Sequence, residues 1–434
     1  MPSLIGNGDI HPRVTKFTNC RLAIDGKLIE KDLWIDSVSG KILQDQRAFY
    51  EDHICPDQVI DLGGRILAPG FIEVQINGAA GFDFSVPRET KDEYDTGLRV
   101  VNHALIKMGI TSYLPTLTSQ KKEVYAKVLP SLGPSGLLRR AEDGAESLGA
   151  HVEGPFLSPG KNGIHSHEVL ITAENGFEDL IDCYGTENIC VDEASTDLIP
   201  VKMITAAPEV GVMLSLIPQI QSQGIIYSIG HSDATYEQAV AAVDAGANMI
   251  THLFNAIRPF YHRHPGIFGL LGQSEKHRPF YGIIADGLHL HPTTIRIAYN
   301  AHPKGMILVT DAMRLCGMPD GIYDWTNGER IVKKGALLTL EGSDRLAGSS
   351  ATLIECVNNF RQWAGARTVD AIAAVTETPA KMLGILGTKG TLAHGADADL
   401  VVLGEKRDEN GGLGTLTVDQ VWKFGVKVFD AEKA

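Results

Sequence analysis

The sequence predicts an α/β protein in which a TIM-like (β/α)8 barrel is joined to a small discontinuous β-sandwich built by both chain ends. Residues 69–387 alternate short apolar runs with longer amphipathic stretches, the pattern of parallel βα units. Residues 1–68 and 388–434 instead consist of short apolar pieces separated by turns. A chain of 434 residues is long enough for a barrel of about 250 residues plus an accessory module.

The two chain ends share a pattern that is typical of short antiparallel strands. Their apolar pieces lie between glycine and aspartate turns, at residues 20–24, 33–35, 59–62, 399–403 and 418–428. Because chain termini often lie close together, these pieces can pair into one module. We therefore expect a single small β domain over 1–68 and 388–434, flanking a central domain over 69–387.

The central region contains eight apolar runs. They begin near Phe71, Thr111, Leu148, Val201, Ile225, Asn248, Tyr281 and Met306. Helical periodicity follows several of these runs, at residues 91–107, 235–245 and 292–301. An open, doubly wound sheet is the main alternative, but it gives no reason for reactive residues to recur after so many strands. Eight parallel units therefore favour a closed barrel.

The charge and the cysteines of the chain limit its partners and its compartment. A net charge of -14 opposes non-specific attraction to nucleic acid and to acidic membranes. The six cysteines form no C-x-x-C pair, which indicates a reducing compartment rather than a disulfide framework. The N-terminal sequence MPSLIGNGDIHPR lacks a signal-peptide pattern, and no apolar run approaches the roughly 20 residues of a membrane span. We expect a cytoplasmic protein that binds neither nucleic acid nor membrane.

Reactive side chains come directly after the apolar runs, where the active site of such a barrel lies. Glu153 ends the third run, and His231 and His252 follow the fifth and the sixth. Each alone could be a turn carboxylate or a hydrogen-bonded core histidine, but together they supply the donors of an open catalytic metal site. Polar groups at strand ends are costly to bury without partners, which favours the joint interpretation. The sequence therefore predicts one divalent metal per subunit, with Zn²⁺ foremost and Fe²⁺ or Co²⁺ left open.

Further polar residues suit proton transfer and oxygen binding. Asp311 follows the eighth run and could pass a proton from water to a leaving amine, or serve only as a helix N-cap. His165, in the loop after the third strand, and His289, after the seventh, could donate to a carbonyl or a phosphate oxygen, or be surface histidines. The basic segment RPFYHRH at 258–264 contains Arg263, which could bind a phosphate or remain a solvated loop charge.

Other enzyme classes lose ground because their motifs are missing. The chain has no G-x-G-x-x-G, Walker A, G-x-S-x-G or H-E-x-x-H sequence. Nucleotide cofactors and serine nucleophiles are therefore disfavoured. Ser349 and Ser350 of LAGSSAT are interpreted as loop or capping residues.

In their order along the chain, the segments APGFIEVQING, HVEGPF, GHSDA, THLFNA, ADGLH, VTDA and LAGSS resemble those of the amidohydrolase superfamily, and more closely the N-acetylglucosamine-6-phosphate deacetylases. The resemblance covers nearly the whole chain. Many superfamily members carry His-x-His at the end of the first strand, whereas Gln75 and Asn77 stand there in this chain. Since the deacetylases have a Gln-x-Asn variant with a single metal, this departure agrees with the narrower group and weakens a two-metal mechanism.

The resemblance implies a role for each matching residue. It makes Glu153, His231 and His252 the metal ligands and Asp311 the catalytic acid and base, with His165 and the metal stabilising the oxyanion. The implied substrate contacts are Ile164, His165, Asn255, Ala256, Arg263, Asp286, Gly287, Leu288, His289, Leu346, Ala347 and Gly348. The family often has serine where Ala347 stands, a departure that a backbone contact would tolerate.

The reaction implied by the resemblance is hydrolysis of N-acetyl-D-glucosamine 6-phosphate to D-glucosamine 6-phosphate and acetate, in amino-sugar catabolism or salvage. It also implies a homodimer in which Arg263 serves the neighbouring site. Two alternatives stay open. One is another amidohydrolase that acts on a different N-acyl group or a cyclic amide, and the other is an inactive barrel scaffold, suggested by the absent His-x-His pair.

Overall fold

A computed structural model describes residues 13–136, 139–192, 198–274, 278–325, 328–406 and 411–433. The first twelve residues, which include most of the segment that lacks a signal-peptide pattern, lie outside the described residues. Among the described residues, no helix combines the length and the apolar character needed to cross a membrane.

The central region forms a barrel of eight parallel strands, which confirms the predicted fold class. We number these barrel strands 1 to 8 in chain order, and they span Phe71–Ile76, Ile110–Leu117, Ala150–Glu153, Val201–Ala206, Ile226–Ile229, Met249–Ile250, Phe280–Ile284 and Met306–Val309. Each begins within two residues of a predicted apolar run. Nearly every residue in these strands is buried, as expected for parallel strands covered on both faces.

Helices cover the outside of the barrel. The helix Asp45–Tyr50 instead packs on the terminal sheets, where Ala48 contacts Val14 and Trp34. The other helices of the described residues span Lys91–Lys107, Lys122–Leu132, Phe177–Tyr184, Thr186–Ile189, Met213–Ser222, Tyr236–Asp244, Pro292–Ala301, Leu353–Ala364, Thr368–Ala373 and Glu377–Met382. The first helix of the barrel, Lys91–Lys107, shows why the sequence folds this way. Thr90 and Glu93 form a capping box at its N-terminus, and it buries one apolar face that includes Leu98 and Leu105.

Barrel strands 1 and 8 meet at a seam that lacks a regular ladder. Near the carboxyl ends, the Asp311 N–H donates to the Gln75 carbonyl at 2.9 Å and the Asn77 N–H donates to Ala312 at 2.9 Å. Lower in the seam, the buried carboxylate of Glu73 accepts the N–H groups of Gln75 at 3.0 Å and Thr310 at 3.1 Å. Burial raises the pKa of Glu73 to about 8. The seam therefore closes the barrel and ties Gln75 to the chain that carries Asp311.

Both chain ends contribute strands to a pair of sheets that share one core. One sheet has the order Lys41–Leu43, Leu33–Asp36, Val14–Thr18 and Gln58–Asp61, and the other has the order Val426–Asp430, Thr415–Lys423, Leu400–Lys406, Ile66–Pro69, Arg21–Ile24 and Lys27–Glu30. Phe17 from the first sheet and Trp422 from the second pack edge to face, with ring centroids 5.0 Å apart. The domain boundaries at 68 and 388 stay a prediction.

An additional antiparallel sheet, which the sequence pattern does not predict, lies inside the region assigned to the barrel. Its strands are Gly321–Asp324, Arg330–Lys334, Leu337–Leu340 and Leu346–Ser349, each paired with the next. Two shorter pieces, Gly78–Ala79 and Phe82–Asp83, form a hairpin after barrel strand 1, and Glu146–Ser147 pairs with the lower part of strand 2. The additional sheet follows barrel strand 8 and packs on Met313, two residues beyond Asp311.

Candidate active site

The predicted reactive residues sit at the carboxyl ends of the barrel strands. Glu153 is the last residue of strand 3, and His231, His252 and Asp311 each lie two residues beyond strands 5, 6 and 8. The backbone of these last three has positive φ values of 48°, 26° and 47°. Because such conformations cost about 1–3 kcal/mol each, they persist where the surrounding fold imposes them, often at functional sites.

Glu153, His231 and His252 converge on one point. The Oε1 atom of Glu153 lies 2.9 Å from the Nε2 atom of His252 and 3.2 Å from that of His231, and the two Nε2 atoms are 3.1 Å apart. All three side chains are buried. The structure thus brings together the three predicted metal ligands as one carboxylate and two imidazole nitrogens.

The hydrogen bonds and the charges around the two histidines suit a metal ion. The Nδ1–H of His231 donates to the carbonyl of Lys161 at 2.7 Å, which leaves a lone pair on the Nε2 atom that faces Glu153. The Nδ1 atom of His252 has no hydrogen-bond partner among the described residues. Burial alone would lower the pKa of His252, but Glu153 raises it to about 8. Burial would raise the pKa of Glu153, but both histidines hold it well below its usual range. The pocket therefore favours positive charge, as a cation-binding site should.

Two amides at the end of barrel strand 1 line the site. The Nδ2 atom of Asn77 donates to Oδ1 of Asp311 at 2.7 Å, and the Nε2 atom of Gln75 donates to Oε1 of Glu153 at 3.1 Å. The sequence predicts neither of these contacts. Their signal was present, since Gln75 is a polar residue in a strand whose residues are all buried.

Asp311 has the environment of a proton-transfer group. It is half-buried, and desolvation together with the charge of Glu153 raises its pKa to about 6. The hydrogen bond from Asn77 fixes one carboxylate oxygen. A carboxylate whose pKa approaches neutrality can accept and return a proton at physiological pH.

His165 faces the same site as a hydrogen-bond donor. The backbone N–H of Ser119 donates to its Nδ1 atom at 3.0 Å, so Nδ1 carries the lone pair and the proton resides on Nε2. That Nε2 atom lies 3.8 Å from Oε2 of Glu153. Glu153, His165 and His231 are close enough to form an alternative metal site, but a protonated Nε2 disfavours His165 as a ligand. Burial lowers its pKa to about 3 and keeps the ring neutral.

The loop after strand 7 presents a second histidine. The Nδ1 atom of His289 lies 2.7 Å from Oδ2 of Asp286, while Oδ1 of Asp286 accepts the N–H groups of Leu288 and His289. Burial would lower the pKa of His289, but Asp286 raises it above its usual value. Gly287 adopts a φ of 77° within this turn, a conformation that favours glycine. The pair leaves the Nε2–H of His289 available to a ligand.

Apart from Arg263, the other predicted substrate contacts lie on two loops and one strand around these residues. Ile164 is exposed beside His165, whereas Asn255 and Ala256 follow His252, and the Nδ2 atom of Asn255 donates to the His252 carbonyl at 3.3 Å. Leu346, Ala347 and Gly348 lie on the last strand of the additional sheet, which is joined to the site loop by a hydrogen bond from the Met313 N–H to Ser349. Arg263 lies apart from this group, on an exposed turn between Tyr261 and His264.

A second group of carboxylates lies at the opposite end of the barrel and is already neutralised. Glu146, Asp397 and Asp399 are close enough to hold a cation. The ammonium groups of Lys389 and Lys423 lie among them, at 2.5–3.0 Å from carboxylate oxygens. These contacts make the group an ion-pair cluster rather than a metal site.

The similarity to known proteins extends over nearly the whole chain. The amidohydrolase family model matches residues 66–428. The mouse N-acetylglucosamine-6-phosphate deacetylase is 41% identical, covering 97% of this chain and 97% of its own. The crystal structure of the Pasteurella multocida deacetylase has a TM-score of 0.76 at 27% identity and covers 95% of this chain and 99% of that one. A Mycobacterium smegmatis deacetylase variant in complex with N-acetyl-D-glucosamine-6-phosphate has a TM-score of 0.73 at 26% identity, with coverages of 96% and 99%.

Proposed function

The chain belongs to the amidohydrolase family, in the group of N-acetylglucosamine-6-phosphate deacetylases, and from this premise we propose how its residues perform the reaction. The protein is a metal-dependent hydrolase that converts N-acetyl-D-glucosamine 6-phosphate to D-glucosamine 6-phosphate and acetate. The observation that carries the proposal is the convergence of Glu153, His231 and His252 next to Asp311, whose pKa is raised.

We assign the metal to Glu153, His231 and His252, and we propose Zn²⁺ as its identity. One carboxylate and two imidazoles suit zinc, and three protein ligands leave a position open for water or substrate. When bound, the metal supplies Lewis-acid chemistry, which lowers the pKa of water and polarises a carbonyl oxygen. Gln75 donates to the ligand carboxylate and so orients it.

Asp311 and His165 carry the proton transfer and the charge stabilisation. Asp311 removes a proton from the attacking water and later delivers it to the amine nitrogen of the sugar, so one carboxylate serves both steps. The Nε2–H of His165 donates to the acetamide oxygen as negative charge develops there. Because the Ser119 amide already occupies Nδ1, the donor is oriented before the substrate binds.

The sugar and its phosphate contact the surrounding loops. We propose that the substrate contacts are Ile164, Asn255, Ala256, Asp286, Gly287, Leu288, His289, Leu346, Ala347 and Gly348. Arg263 would bind the phosphate across a homodimer interface. Its exposure supports this role, as does the lack of any carboxylate within ion-pair distance among the described residues. We also retain a cytoplasmic location and the division into 1–68 with 388–434 and 69–387 as proposals.

The test compares acetate release from N-acetylglucosamine 6-phosphate and from the unphosphorylated sugar, using zinc-reconstituted wild type and Asp311→Asn with the metal content measured. Asp25→Asn is a matched control, because exposed Asp25 has the same φ of 47° as Asp311 but lies in a hairpin turn of the terminal sheets. We expect phosphate-dependent release that falls by at least about a thousandfold in metal-replete Asp311→Asn and not in the control. Wild-type turnover of neither sugar would instead favour another amide substrate or an inactive scaffold.

A further inference from the structure

A chain of hydrogen-bonded side chains crosses the barrel interior directly beneath the metal-ligand site. His151, Thr205, Thr251 and Ser228 are each buried, with at most 1% of their surface exposed. The Nε2 atom of His151 lies 2.7 Å from the Thr205 hydroxyl, which is 2.6 Å from that of Thr251, and this in turn is 2.6 Å from that of Ser228. None of these residues has a role in the proposed reaction.

The direction of every hydrogen bond in this series of side chains follows from the tautomer of His151 at one end. The Nδ1 atom of His151 lies 3.1 Å from the Val74 carbonyl, which can only accept, so Nδ1 carries the proton. A neutral imidazole carries a single ring proton, so with Nδ1 protonated the Nε2 atom is the acceptor. Thr205 therefore donates to His151, Thr251 donates to Thr205, and Ser228 donates to Thr251. No hydroxyl in the chain has a free choice of orientation.

The same chain links the strands that carry the metal ligands. His151 is two residues before Glu153 on barrel strand 3, and Thr205 on strand 4 is the ladder partner of Glu153. Thr251 immediately precedes His252 beyond strand 6. The Val74 carbonyl on strand 1 immediately precedes Gln75, which donates to the ligand carboxylate. A displacement of one hydroxyl would thus displace several residues of the site.

We propose that His151, Thr205, Thr251 and Ser228 are positioning residues that set the spacing between Glu153 and His252 and so tune the affinity for the metal. The inference rests on the proposed function only for the identity of the metal ligands. An interior filled by apolar side chains would pack as well without directional bonds. The chain of hydrogen bonds, by contrast, fixes the positions of five barrel strands relative to one another along the barrel axis. Removing a group that orients a metal ligand without contacting the metal itself typically weakens metal binding by about 10–100-fold.

The experiment titrates Zn²⁺ into chelator-treated protein against a competing chromophoric chelator. Thr205→Val removes the central hydroxyl at nearly constant volume, and Thr205→Ser restores it. Thr111→Val is the matched control, since Thr111 is a buried threonine at the amino end of barrel strand 2, where its hydroxyl lies 3.5 Å from the Phe71 carbonyl. Thermal unfolding, kcat and KM are measured for each variant.

We expect Thr205→Val to weaken zinc binding about tenfold and to lower kcat with little change in KM, while Thr205→Ser and Thr111→Val stay within about threefold of wild type. Wild-type zinc affinity in Thr205→Val, or equal weakening in Thr111→Val, would overturn the proposal. If Thr205→Val does not fold, Ser228→Ala removes only the terminal donor, and unchanged zinc affinity in that variant would overturn it equally. A wild type that binds zinc but releases no acetate would refute the deacetylase function and leave the zinc comparison intact.

Discussion

Replacing Lys423 by methionine should strongly destabilise the protein without touching the active site. Lys423 is completely buried, and its Nζ atom lies 2.5 Å from Glu146 and 2.7 Å from Asp399. The only other ammonium group that contacts both carboxylates among the described residues is that of Lys389. Methionine fills a similar volume but leaves Glu146 with Lys389 and, at 3.6 Å, Arg139, and leaves Asp399 with Lys389 alone.

The magnitude follows from the burial of the cluster. Removing one partner of a buried ion pair typically costs about 3–5 kcal/mol, because the remaining charge stays desolvated. That is a large part of the roughly 5–15 kcal/mol by which domains are stable. Lys427→Met is the matched control, since Lys427 pairs with Asp430 at 2.7 Å but is 31% exposed. An exposed pair of this kind contributes only about 0–1 kcal/mol.

The free energy of unfolding is measured by urea titration. The variants compared are Lys423→Met, Lys427→Met, Glu146→Gln and the Lys423→Met/Glu146→Gln double variant. The double variant should lose at least about 1 kcal/mol less than the sum of its singles, since each single strands a charge that the double removes. A loss below about 1 kcal/mol in Lys423→Met, or additive singles, would refute the reasoning.

The pH dependence gives a second test of the same cluster. Burial would raise the pKa of Asp399, but Lys389 and Lys423 hold it below its usual range. The resulting stability is present above the unfolded pKa of about 4 and is lost as the pH falls further. In Lys423→Met this acid-dependent loss should be smaller.

The active site yields three more predictions. The affinity of the metal-free protein for zinc should fall about tenfold per pH unit below pH 8. Glu153 raises the pKa of His252 to about 8, and His252 must lose a proton to bind zinc. A pH-independent affinity measured by chelator competition would contradict this prediction. Asn77→Ala removes the donor to Asp311 and should lower kcat about tenfold at constant KM, and unchanged steady-state kinetics would exclude that role. Arg263→Ala should raise KM for the phosphorylated sugar at least tenfold while leaving the unphosphorylated sugar unaffected, and equal effects on both sugars would show that Arg263 does not bind the phosphate.

The barrel was predictable from the sequence because its determinants are local. Each strand is a continuous apolar run, and helices such as Lys91–Lys107 and Pro292–Ala301 begin at local signals, a capping box in one and a proline in the first turn of the other. The additional sheet from Gly321 to Ser349 was missed, because its strands are only four or five residues long and lie within a turn-rich stretch. The seam was also missed, since it depends on carbonyl and amide groups that any residue type provides.

The site was predictable in its membership but not in its electrostatics. Position after a strand was enough to select Glu153, His231 and His252, which the structure brings within 3.2 Å of one another. The tautomers depend instead on backbone groups from distant segments. The Lys161 carbonyl determines which nitrogen of His231 is free, and the Ser119 amide determines which nitrogen of His165 donates. Sequence patterns carry no record of such contacts.

The two ends of the barrel divide stability from function, and the division makes the stability and metal-affinity tests independent. The carboxyl end holds residues in strained positive-φ conformations, including His252 and Asp311, and a polar layer beneath them. The amino end holds the ion-pair cluster around Lys423, where the carbonyl of Asp399 also accepts the Gly70 N–H that precedes barrel strand 1. In barrels of this kind the catalytic residues lie at the carboxyl ends of the strands, whereas the amino end contributes stability. Lys423→Met should therefore lower the fraction of folded enzyme at unchanged zinc affinity, whereas Thr205→Val should change zinc affinity in protein that remains folded.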